Sequence, residues 1–168
     1  YSAVFRAYVR KLYKEGFTQE FFIEGGRSRT GKTLPPKTGI LGMLFDAFIE
    51  GRQEDAIFFP ACISYEKILE GSAYTRELEG GEKEKENAGA LVKSAGILKS
   101  RYGRVYISFG PAISLKEELA KHGLNKEALQ TAAHQQDKRN FVRELAYQIV
   151  YEINQAVVVT ANATAVAI

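Results

Sequence analysis

Arg27 and Arg29 stand two residues apart in a loop rich in hydrogen-bonding groups, Gly25-Gly26-Arg27-Ser28-Arg29-Thr30-Gly31-Lys32. Glycine lets a backbone approach a ligand closely, and the guanidinium group is a planar fork that matches two phosphate oxygens at once. A hydrogen bond to a charged group contributes about 1.5–3 kcal/mol, so two arginines on one phosphate would hold a small phosphorylated molecule. The same residues also read as a solvated basic loop, and chemistry alone leaves both readings open. Gly26 to Thr33 fits the pattern G-x-x-x-x-G-K-[ST]. A nucleotide-binding loop of that kind needs a helix to start at its Lys-Thr, with amides and dipole facing the phosphates. Here Leu34-Pro35-Pro36 follows at once, and proline keeps the residue before it out of the α region. Ile57-Phe58-Phe59 runs into Pro60, not into an aspartate that would hold magnesium. A P-loop nucleotide-binding domain is therefore the distant alternative.

The loop needs elements to hold it. The apolar run Glu20 to Glu24 predicts a short buried strand that delivers it. Before this, Tyr1 to Glu15 has helical spacing, with Val4, Phe5, Tyr8 and Leu12 in one apolar stripe and Arg6, Arg10, Lys11 and Lys14 mostly off it. Thr38 is placed to cap a helix reaching Glu50, with Ile40, Leu41, Leu44, Phe45, Phe48 and Ile49 inward and Gly51 as its stop. Ala56 to Ile63 predicts a central strand. Pro60 inside it cannot donate to a ladder, so it marks an edge, a bulge or the strand's functional end. A charged loop, Gly80 to Glu86, precedes a helix predicted over 87–100. Val105 to Phe109 alternates as a strand closed by Gly110-Pro111. Ser114 and Glu117 form a capping box over a short helix ending at Gly123, and Asp137 to Asn154 is a long amphipathic helix. Strands alternating with helices predict an α/β fold: a mixed, partly parallel sheet flanked by helices.

The chain has 168 residues, 45% hydrophobic and 26% charged, enough for one domain with a core and too apolar for disorder. A single cysteine, Cys62, excludes a disulfide scaffold, and with only two histidines, His122 and His134, no metal site or cofactor is expected. Cys62 itself reads as a small core residue. No apolar run is long enough to span a membrane. Net charge is +3, but residues 1–40 carry eight Lys/Arg against three Asp/Glu. That local field suits an anionic ligand or surface at one end rather than nucleic acid. The chain starts in mid-helix at Tyr1 and ends on an apolar tail, so residues 1–168 read as a single domain that is a fragment of a larger one, truncated at the N-terminus.

Phe22-Ile23-Glu24-Gly25-Gly26-Arg27-Ser28, continuing through Arg29-Thr30-Gly31-Lys32 to Pro36-Lys37-Thr38-Gly39, resembles motif III of the glycerol-phosphate acyltransferases in their bacterial glycerol-3-phosphate O-acyltransferase branch. Phe59-Pro60-Ala61-Cys62-Ile63-Ser64-Tyr65-Glu66 resembles the family's motif IV. The likeness runs from about residue 17 to about 120. It implies transfer of a fatty acyl group from acyl-CoA or acyl carrier protein to the sn-1 hydroxyl of glycerol 3-phosphate, giving lysophosphatidate. Residue by residue it implies a substrate-binding set of Glu24, Gly25, Gly26, Arg27, Ser28, Arg29 and Pro60. The two arginines would sit on phosphate, Glu24 would order the loop or hold glycerol, and Pro60 would lie toward the acyl donor. The family's His-x-x-x-x-Asp pair is absent from this chain and is expected upstream of Tyr1. His134 and Asp137 are three apart, and His122 has Glu127 at the required spacing, with Gly123 between them. The resemblance thus places no catalytic residue here and implies an inactive fragment of an active enzyme. Dihydroxyacetone phosphate is the alternative acceptor, with Gly26 leaning against it. The acyl donor and product imply a membrane surface, on the cytoplasmic face of the bacterial inner membrane.

Overall fold

The structure is a computed structural model and describes residues 2–26, 32–66 and 103–159. Arg27, Ser28 and Arg29, the helix predicted over 87–100 and the end of the apolar tail lie outside the described residues. Among the described residues four α-helices, α1 (Ser2–Lys14), α2 (Thr38–Glu50), α3 (Leu115–Lys121) and α4 (Gln135–Gln155), accompany four short strands: β1 (Ile57–Phe58), β2 (Ala61–Tyr65), β3 (Val105–Phe109) and β4 (Ile113–Ser114). The described residues fall into two compact units. One comprises 2–26, 33–61 and 109–156; the other holds Lys32, 62–66, 103–108 and 157–159.

The first unit contains the core. Leu41, Phe45, Phe48 and Ile49 of α2 and Phe141, Val142, Leu145 and Ile149 of α4 are all buried, as the 3.6-residue period predicts. Leu115 and Leu119 of α3 and Leu129 of a 3-10 turn (Ala128–Gln130) join them. α2 has the expected span, but Thr38 is its first helical residue and Lys37 holds the cap position, with no side-chain bond to the first turn. Gly51 ends α2 in an extended conformation, its N–H donating to the Phe48 carbonyl. Lys126 then secures that end. Its Nζ donates to the carbonyls of Gly51 (2.8 Å) and Gln53 (2.9 Å) and lies 4.6 Å from the centre of the Phe48 ring. Lys126→Met is expected to cost about 1–3 kcal/mol of stability, read as a lower urea midpoint at unchanged m-value.

α1 is rotated away from the expected orientation. Val9 is its buried residue, while Val4, Phe5 and Tyr8 of the predicted stripe are exposed. The basic edge of α1 faces α2: Arg6 reaches Asp46 at 2.9 Å and Arg10 reaches Glu50 at 2.6 Å.

The strands differ most from expectation. Residues 20–24 form no strand; they run as irregular chain into a turn in which the Gly25 N–H donates to the Phe22 carbonyl (3.0 Å). The predicted central strand is split by Phe59-Pro60 into β1 and β2, which take different partners. β1 pairs antiparallel with β4, Ile57 opposite Ser114. β2 pairs with β3, flanked by bonds from Gly110 N to Pro60 O and from Glu66 N to Arg104 O. As one index rises the other falls, so this ladder is antiparallel too. The expected partly parallel sheet is thus corrected: among the described residues the molecule is mixed α/β with two small antiparallel ladders. Proline's missing N–H breaks the run, and each half is left as an edge strand. In β2 and β3 exposed and half-buried residues alternate, as in strands with one covered face.

Candidate functional site

The phosphate-loop candidate is framed by described residues on both sides. Glu24 Oε2 accepts the backbone N–H of Leu34 at 2.7 Å, and the N–H of Lys37 donates to the Ile23 carbonyl at 2.8 Å. Ile23 is buried in the core, so the segment starts from a fixed point. Gly25 has φ +60°, a conformation L side chains rarely adopt, so the turn calls for glycine; a Cβ there would press only on Lys37 Cδ, at 2.9 Å, which that flexible side chain can relieve. Gly26 is exposed with open space around it. Of the seven substrate-binding candidates, Glu24, Gly25, Gly26 and Pro60 are described, whereas Arg27, Ser28 and Arg29 lie outside the described residues. Glu24 acts here on the backbone: its carboxylate ties one end of the loop to the other. No helix begins at Lys32-Thr33; α2 starts at Thr38, beyond the two prolines, which removes the P-loop geometry.

Pro60 is buried, and its carbonyl accepts the Gly110 N–H at 2.8 Å. A side chain at Gly110 would meet Pro60 Cβ at 3.3 Å, so the two residues pack backbone to ring. Cys62 is half-buried rather than in the core, with Sγ 3.7 Å from Ser64 Oγ. Its place on the ladder, not a core helix, keeps it near the surface. Glu66 Oε2 accepts the Arg104 N–H at 2.8 Å and closes the ladder's end.

Both histidines are engaged in structural contacts. His122 Nδ1 lies 2.8 Å from the Glu118 carbonyl and Nε2 3.1 Å from Glu144, with the ring edge-on to Phe141. His134 Nδ1 pairs with Asp137 at 2.9 Å across one helical turn. No group of three or more metal-ligating side chains comes together among the described residues.

Sequence reasoning missed the carboxylate that joins the start of β1 to β4 and α3 in the first unit. Asp55 Oδ1 accepts the N–H groups of Ala56 (2.8 Å) and Lys116 (2.9 Å), and Oδ2 accepts the Ser114 hydroxyl at 2.6 Å. Ser114 Oγ in turn accepts the Glu117 N–H, the predicted cap. Burial pushes the Asp55 carboxyl up, but the Ser114 hydroxyl and the two backbone donors outweigh it and hold it below its ordinary value. Burial, with the charge of Asp55, pushes the Tyr13 hydroxyl up to about 12. Little local signal announces Asp55, because its partners other than Ala56, namely Ser114 and Lys116, lie some 60 positions on.

Comparison with known proteins adds the class. Residues 74–168 match the family described as the glycerol-3-phosphate acyltransferase C-terminal region. The chain is 43% identical over 122 residues to the glycerol-3-phosphate acyltransferase of Pseudomonas paraeruginosa, covering 73% of this chain and 15% of that protein. It is 38% identical over 162 residues to that of Pasteurella multocida, covering 96% of this chain and 20% of the relative. With that of Pseudomonas putida it shares 45% over 115 residues, 68% of this chain and 14% of the relative. These relatives are enzymes that move acyl groups. The chain belongs to the glycerol-3-phosphate acyltransferase family, and it spans a fifth or less of the length of these curated relatives.

Proposed function

We propose that this chain is the phosphate-gripping part of an enzyme that transfers a fatty acyl group from acyl-CoA or acyl carrier protein to the sn-1 hydroxyl of glycerol 3-phosphate. Membership of the glycerol-3-phosphate acyltransferase family is the observation that carries the reading. The loop between Glu24 and Leu34 supports it: its ends are tied by a carboxylate–amide bond, and its sequence puts Arg27, Ser28 and Arg29 within that closed span. Closing a loop before the ligand arrives lowers the ordering cost of binding. Arg27 and Arg29 take the phosphate of glycerol 3-phosphate, and Pro60 lies on the acyl-donor side. The general base and its aspartate come from a part of the enzyme preceding this chain, so residues 1–168 alone carry out no acyl transfer.

The reaction joins a lipid chain to a water-soluble acceptor, which supports work at a membrane surface on the cytoplasmic face. The basic field of residues 1–40 supports attraction to an anionic leaflet. No described helix is long and apolar enough to cross a membrane.

The test is Arg27→Ala with Arg29→Ala in a full-length enzyme carrying this chain. Loss of a charge-assisted contact weakens binding by about tenfold or more per arginine, so the KM for glycerol 3-phosphate should rise at least that far while acyl-donor KM stays put. An unchanged KM for glycerol 3-phosphate overturns the assignment.

A further inference from the structure

The first unit also has a cleft between α1, α2 and α4, with a volume near 840 Å³. Its wall is largely polar and carries four cations, Arg6, Lys138, Arg139 and Arg143, against two carboxylates, Asp46 and Glu50. Arg6 and Lys138 share the Asp46 carboxylate at 2.9 and 2.6 Å, and Lys138 is largely shielded from water. The other carboxylate of the wall, Glu50, is taken by Arg10 at 2.6 Å. Both acids are thus neutralised by other cations. What remains is the pair Arg139 and Arg143, one helical turn apart on α4 and both exposed. Arg143 touches only the neutral Asn140 amide, at 3.4 Å, and Arg139 has no carboxylate partner among the described residues.

The facing wall is as informative. Gly39 and Gly42 lie one turn apart in α2 and line the cleft. Glycine inside a helix is unfavourable relative to alanine, so two in four residues call for a reason. Tight packing is not the reason, since a Cβ at either position meets nothing within 4 Å, and neither has a positive φ. What they do is leave the α2 backbone bare opposite two uncompensated guanidinium groups. An open wall facing a pair of planar forks suits a compact anion with several oxygens.

We infer that this cleft is a binding site for a phosphate-bearing anion, held by Arg139 and Arg143, the lining cations that Asp46 does not engage. The site is independent of the acyl-transfer reading and of Arg27 and Arg29. A free phosphate and a phospholipid headgroup present the same chemistry, and the experiment separates them.

The 168-residue chain, carrying Arg27→Ala and Arg29→Ala so that the loop contributes nothing, is titrated with inorganic phosphate and pyrophosphate. In parallel it is floated with phosphatidylcholine vesicles containing phosphatidic acid. Binding of the soluble anions assigns the site to a free phosphate; binding to the vesicles alone assigns it to a headgroup. In either case Arg139→Ala with Arg143→Ala should weaken binding by about tenfold or more, and added salt should weaken it further. Gly42→Leu supplies the second variant. It should raise the Tm, because leucine is the better helix former, yet abolish binding by filling the cleft. Binding to neither probe overturns the site. So does binding that both the arginine variant and Gly42→Leu leave unchanged.

Discussion

Asp55→Ala should lower the free energy of unfolding by about 2–4 kcal/mol and flatten its decline in acid. One carboxylate receives three hydrogen bonds, from Ala56 N, Lys116 N and Ser114 Oγ, and so ties the chain before β1 to the junction of β4 and α3. Alanine leaves those three donors without their acceptor in a partly buried place. The pH effect follows from the lowered carboxyl pKa. In the unfolded chain Asp55 titrates near the ordinary value of about 3.9, so as pH falls the unfolded state takes up the proton first. The stabilisation is complete above that range and is lost as pH drops toward the folded value. Asp55→Asn keeps an acceptor oxygen and removes the titration, so it should lose less stability at neutral pH while showing the same flattened acid limb. Glu118, also lowered because the Lys121 and Gln148 hydrogen bonds outweigh its burial, leaves a residual slope in both variants. Chemical denaturation from pH 7 down to about pH 3 measures all three. An acid limb as steep in Asp55→Asn as in the parent would remove Asp55 from this role.

Phe45→Ala should cost about 3–5 kcal/mol, a large part of the total stability of a domain this size. Phe45 is fully buried, with its ring 5.0 Å from that of Phe141 on α4 and 6.3 Å from that of Phe48. It is the contact through which α2 and α4 share a core, and close-packed neighbours relax only partly into the space left. Phe5→Ala on α1 is the matched control. Phe5 is 43% exposed although its spacing places it on an apolar stripe, and its removal should change stability by about 0.5 kcal/mol or less. The two variants together, by urea titration, separate apolar periodicity from burial. A Phe5→Ala loss as large as that of Phe45→Ala would mean α1 packs by its apolar stripe after all.

The helices were the most legible part of this chain because their evidence is local. Phe45, Phe48, Phe141 and Leu145 lie on the buried faces that a 3.6-residue period predicts, and Ser114 caps α3 through the Glu117 amide three residues on. The strands were less legible. An apolar run does not state its partner, and Pro60 turned one predicted strand into two that pair with β4 and β3. In the candidate site, Glu24 and Gly25 were singled out by the resemblance to the family's motif III, while the strand expected to deliver them did not form. The bond that gives Glu24 its local purpose, to Leu34 N, could not be read from residue order.

Residue order alone therefore determined the family, the approximate spans of the described helices and the absence of a His-x-x-x-x-Asp pair from this chain. Tertiary structure alone decided which carboxylate neutralises which cation. Asp46 absorbs Arg6 and Lys138, from 40 positions before it and 92 after, and Asp55 organises β4 and α3. The reason is range. Helix period, capping and turn chemistry act within a few residues, whereas ion pairs and ladders are chosen only when distant segments meet. Arg139 and Arg143 carry no such signal in the sequence; only the fold sets them along an open cleft, without a carboxylate partner among the described residues.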